Sequence, residues 1–134
     1  MMNHTYQPAY AASLLRLTLG IVLLAHSLYL KLFIYTLPGT AEAFASLGLP
    51  PALAYVVFAI EVISGISLII GFNTRLFCLL SFPILLGATW AHYNNGWLFT
   101  NTGGGWEYPL VLSIMLIIQV LLGNGAYAIT QDKN

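Results

Sequence analysis

The sequence predicts an all-α integral membrane protein: four transmembrane helices in an up-down bundle, with a short interfacial helix between the first and second. Three observations carry this. Of the 134 residues, 59% are hydrophobic and only 6% charged, and the mean hydropathy is +0.84. A soluble domain carries roughly 25% charged residues, so this chain cannot cover a water-facing surface. The apolar residues also fall into four long runs. Each is near the ~20 residues that cross a hydrocarbon core of ~30 Å as a helix, and none shows the ten-residue alternation of a membrane barrel. Finally, the connections are short. No repeat and no second domain is visible, so residues 1–134 read as one domain.

The first run covers residues 9–36, with Arg16 and Lys31 toward its ends. It is too long for a signal-peptide core, and no small-residue cleavage site follows, so it reads as a retained anchor. "PGTAEAFASLGLPP" comes next. Thr40 can cap a short helix there, and Gly48, Pro50 and Pro51 stop it; Phe44 and Leu47 would rest on the interface. The second run, residues 52–72, carries Glu61 near its middle. "GFNTR" is a tight turn, with Asn73 or Thr74 as the cap of the third run at residues 75–94. "NNGWLFTNTGGG" is the longest polar stretch and leads to the fourth run, residues 108–129.

With four spans, Arg16, Arg75 and Lys133 share one side and Lys31 lies on the other. The positive-inside rule then places both termini in the cytoplasm. Tyr35, Tyr93, Trp97, Trp106 and Tyr108 would form an outer aromatic belt. Zero net charge favours neither nucleic acid nor anionic headgroups as partners. Cys78 is the single cysteine, which excludes an intramolecular disulfide and a CxxC redox pair.

Charges inside a spanning helix are expensive, about 2.5–3.5 kcal/mol at its centre, so they face the bundle and find partners. At 100° per residue, Arg16, Gly20, Ser27 and Lys31 fall within about 60° of one another and form one polar stripe. On the second run Gly65 lies one turn from Glu61 and allows a close helix approach. A rise of 1.5 Å per residue sets the depths. Glu61 and His26 form a middle group, toward which Arg16 can reach. Lys31, His92 and Glu107 form an outer group. "GGGWEYP" is read as a sharp fold-back that sets Glu107 over the bundle axis beside Lys31 and His92, with Trp106 sealing the lipid side. Bland readings stand beside these. Lys31 and Arg16 can snorkel, His92 can be an interfacial histidine, and Glu107 can simply favour a helix start. No HxxxH or ExxH pair exists, so no metal site is expected. Nucleotide and nucleophile motifs are also absent.

"LLRLTLGIVLLAHSLYLK", "FASLGLPP", "IEVISGISLIIGFNTR", a histidine late in the third run, "GGGWEYP" and "LLGNGAYAIT" together resemble the DoxX family of small bacterial inner-membrane proteins. The likeness runs over nearly the whole chain. Ser27 departs from it, since members more often carry glycine beside the His26 position. The resemblance implies a four-helix bundle and an association with quinol oxidase, thiosulfate:quinone oxidoreduction and membrane oxidoreductase complexes. The sequence supplies no redox centre of its own, so a quinone or a partner subunit must bring the electrons. The leading expectation is therefore an accessory or quinone-interacting subunit of a membrane redox system. Arg16, His26, Lys31, Glu61, His92 and Glu107 are the ligand-binding candidates. The rivals are an oligomeric transporter that uses Glu61, and a scaffold without chemistry.

Overall fold

A computed structural model describes residues 6–132 of the chain. Helix α1 (Tyr6–Leu24) runs directly into a π-helical segment, Ala25–Ile34. Next come α2 (Leu37–Ser46), α3 (Leu53–Ile70), α4 (Thr74–His92) with a 3-10 turn at Tyr93–Asn95, and α5 (Glu107–Leu122). Among the described residues, three helical stretches are long and apolar enough to cross a membrane: Gln7–Ile34, Leu53–Ile70 and Thr74–Asn95. Helix α5 is also apolar but has 16 residues.

Local chemistry accounts for the boundaries and corrects two of them. Helix α2 starts earlier than Thr40. Thr36 occupies the cap position, its Oγ1 accepting from the Gly39 N–H at 3.2 Å, and Pro38 sits in the first turn, where its missing N–H costs nothing. Thr40 lies one turn inside and donates back to the Thr36 carbonyl at 2.8 Å. Asn73 precedes α4 in a left-handed conformation, but its side chain makes no capping bond. The second correction is larger. The fourth run is helical only to Leu122, not to residue 129. Gly123 (φ +84°) and Gly125 (φ +80°) turn the chain out of the helix. The segment beyond them crosses the end of the bundle as a strap. Ala126 N–H donates to the Ala9 carbonyl, Ile129 to that of Ile70 and Thr130 to that of Gly71.

The start of α1 lies against the end of α3, and the start of α4 against the end of α5. Helices α1 and α3 cross at two glycines: a Cβ on Gly20 would meet the Gly65 carbonyl at 2.9 Å, and one on Gly65 would meet Leu24 at 2.7 Å. Between membrane helices such close van der Waals packing replaces the hydrophobic drive. Leu19, Leu23, Leu68, Cys78, Leu112 and Leu116 fill the centre.

Candidate functional site

The polar stripe on the first helix faces inward: Arg16, Gly20 and Ser27 are buried and Lys31 is half-buried. Its charges do not pair by the depths a uniform α-helix assigns. Lys31 Nζ donates to both Glu61 oxygens, at 2.7 and 2.9 Å. Glu61 is 4% exposed. Lys31 therefore belongs to the middle of the structure and not to an outer group with Glu107 and His92. The reason is the π-helical segment. With i→i+5 bonding it packs more residues into each turn, so Lys31 advances less along the axis than 1.5 Å per residue predicts, and its long stem covers the remainder. Ser27 Oγ satisfies itself on the Leu23 carbonyl at 2.9 Å.

Arg16 reaches the opposite way from the expected one, away from Glu61. Nε donates to the Asn124 carbonyl, Nη1 to those of Leu68 and Ile69, and Nη2 to that of Ala126, all at 2.9–3.1 Å. A helix end leaves four carbonyls without intrahelical partners, and a guanidinium is a fork of five donors. Arg16 thus caps α3 and ties it to the strap. Asn124 extends the knot: its Oδ1 accepts from Thr74 N–H at 3.2 Å, and Asp132 accepts from both its backbone N–H and its Nδ2. Arg75 donates to the Val120 carbonyl and lies 3.9 Å from Asp132. Lys133, part of the orientation count, lies outside the described residues. Asn124 and Asp132 escape sequence reasoning because "LLGNGAYAIT" reads as the end of an apolar run. The Gly-Asn-Gly within it was the available signal.

Glu107 stands apart. Among the described residues no hydrogen bond or ion pair joins it to Lys31 or His92. His92 Nδ1 is 2.7 Å from the Ala88 carbonyl on its own helix. The fold-back before Glu107 does occur, as a tied loop. Trp106 N–H donates to the Gly96 carbonyl and Glu107 N–H to that of Trp97. Trp106 packs edge-on against Trp97 (centroids 4.5 Å apart) and near Tyr93 (5.8 Å). Gly105 is buried against the Trp97 and Leu98 carbonyls, with no room for a Cβ. Glu107, in the first turn of α5, lines an open surface groove of about 460 Å³ with Phe99, Tyr108 and Val111, all three of them exposed. His26 stacks on Tyr108, centroids 5.9 Å apart, with Nδ1 held 3.0 Å from the Val22 carbonyl. So five of the six candidates fall in four places: Arg16 at the strap, Lys31 with Glu61 inside, Glu107 in the groove and His26 against the Tyr108 ring. His92 joins none of them by a polar contact. Among the described residues no cluster of metal-binding side chains occurs.

Comparison with known proteins places the chain. A family model named DoxX matches residues 11–94, well over half of the sequence. The chain belongs to the DoxX family. The family match contains Arg16, His26, Lys31, Glu61 and His92 but ends before "GGGWEYP" and "LLGNGAYAIT", so it is shorter than the likeness read from the sequence. A Bacillus subtilis (strain 168) protein named "Putative oxidoreductase CatD" is 39% identical over 87 residues, covering 65% of this chain and 61% of that protein. The chain thus matches about three fifths of its curated relative's length. No solved structure matches. This DoxX protein is a helical membrane protein in which the family-matched region carries the buried ion pair, while the groove is lined by residues beyond that region.

Proposed function

We propose that this DoxX protein crosses the bacterial inner membrane as a single four-span up-down domain with both termini cytoplasmic, and binds a quinone as an accessory subunit of a membrane redox system. The cleft of Phe99, Glu107, Tyr108 and Val111 is the observation that carries this reading. A quinone needs an apolar slot, a flat surface for its ring and a few placed polar groups, and this cleft combines two aromatic rings, an aliphatic wall and one carboxylate. The relative's name supports a redox setting. Helix α5 would span about 24 Å at 1.5 Å per residue, short of ~30 Å, and the bilayer would thin locally around it. Partner subunits supply the electron carriers. The transport reading needs Glu61 as a free carrier, and both of its oxygens are engaged by Lys31, so quinone binding is preferred.

The test is titration of the purified protein in detergent with a short-chain quinone, followed through tryptophan fluorescence, since Trp106 adjoins the cleft residue Glu107. Saturable quenching is expected, with Glu107→Ala and Tyr108→Ala each weakening binding by about tenfold, one lost interaction of ~1.4 kcal/mol. Linear, non-saturating quenching, or curves for both variants identical to the parent's, would overturn the assignment.

A further inference from the structure

Each of the four long helical stretches places one serine in the interior, and the four stand in a common layer. Leu23, Leu68, Cys78 and Leu116 belong to one packed apolar cluster. Ser27 follows Leu23 by four residues and Ser81 follows Cys78 by three; Ser64 precedes Leu68 by four and Ser113 precedes Leu116 by three. In every case the step leads away from the strap, by about 4.5–6 Å of helix rise. Ser27, Ser64 and Ser81 are 0% exposed and Ser113 2%. Glu61 lies one turn beyond Ser64 on the same buried face of α3, so the layer adjoins the ion pair.

The hydrogen bonds of this layer do not close within the protein. Ser27 Oγ donates to the Leu23 carbonyl at 2.9 Å and Ser113 Oγ to the Pro109 carbonyl at 2.8 Å, which leaves both oxygens with open lone pairs. Ser64 Oγ and Ser81 Oγ have no hydrogen-bond partner at all, not even a carbonyl of their own helices. A buried hydroxyl without a partner is costly, and surrounding lipid offers none.

We infer that the serine layer is a binding site for ordered water, held between Ser64 and Ser81 and shared with the lone pairs of Ser27 and Ser113. Water matches the inventory: two hydroxyls that donate and accept, two that only accept, and no net charge, because Lys31 already neutralises Glu61. An internal water takes two to four polar partners, which these serines supply. A metal ion would lack a charged oxygen ligand, and an apolar molecule would leave the hydroxyls unpaired. The apolar cluster closes the layer toward the strap. Lys31, whose side chain is 18% exposed, borders the side from which water enters. The site hydrates the ion pair from within the bundle.

The experiment follows magnetisation transfer from water to backbone amides in the full-length protein, deuterated at carbon and held in nanodiscs. Cross-peaks are expected at Ser64 and Ser81 and not at Leu68 or Leu116. Ser64→Ala and Ser81→Ala should each lower the melting point by roughly 3–6 °C, and each should weaken the cross-peak at the serine that remains. The double variant should lose less than the sum, since both serines hold the same water. Amides silent toward water at both serines would overturn the site. Higher melting points in the single variants would show dry hydroxyls, and fully additive losses would deny a shared water; either overturns the inference. Stabilisation by sodium that disappears in Ser64→Ala would make the ligand a cation and overturn it too.

Discussion

Removing Lys31 should damage this protein more than removing Glu61, and removing both should restore it. The asymmetry follows from exposure: the Lys31 side chain is 18% exposed and that of Glu61 5%. Lys31→Met leaves a carboxylate enclosed without its cation. Breaking one side of a buried pair costs about 3–5 kcal/mol. Glu61→Gln is milder, about 1–2 kcal/mol, because the amide oxygen still accepts from Nζ and the flexible lysine can extend toward a polar boundary. Lys31→Met with Glu61→Leu should lie within about 1 kcal/mol of the parent, since an apolar pair of similar volume often replaces an ion pair without loss. The chain carries its own reporter. Cys78 is the sole cysteine and fully buried, so a thiol-reactive fluorogenic dye lights up only on unfolding. Lys31→Met should melt roughly 10–20 °C lower. In the cycle of Lys31→Met, Glu61→Leu and their double variant, a coupling energy under ~0.5 kcal/mol would refute the claim that the pair acts as a unit.

Three further outcomes are expected. Arg16→Lys should fail to replace arginine: one ammonium cannot serve four carbonyls in the plane of a fork, and the same dye should report a loss of at least ~3 kcal/mol, whereas a melting point within a few degrees of the parent would contradict the capping role. Gly105→Ala should push the loop off the Trp97 and Leu98 carbonyls and abolish the Trp97–Trp106 contact, read as a changed near-ultraviolet dichroism, while Gly87→Ala, which has no atom within 4 Å of its would-be Cβ, should leave the spectrum alone. In a Cys78→Ala background, a membrane-impermeant maleimide applied to whole cells should label a cysteine at Thr102 and spare one at Gln131; the opposite pattern would invert the orientation.

The helices, the inward stripe of Arg16, Gly20, Ser27 and Lys31, and the close approach at Gly65 were legible in the sequence. Each depends on composition or on a repeat of 3.6 residues, and both are local properties. The partners of the charges were not legible. Lys31 meets Glu61 because a π-helical segment shortens its advance along the axis and the glycine crossing of α1 on α3 fixes the offset between the two helices. Neither quantity is written in any one segment. Arg16 binds backbone carbonyls of α3 and the strap, and a carbonyl carries no side-chain signature to search for. The strap itself looks like the tail of a fourth span, since "AYAI" within it continues the apolar character of the helix before it. Its backbone groups find partners outside a helix only in the packed bundle, where Ala126, Ile129 and Thr130 dock onto α1 and the end of α3 and Arg16 binds the Asn124 and Ala126 carbonyls. Periodicity determined which faces turn inward; axial offset and backbone acceptors, which exist only once the helices are packed, decided which charges meet.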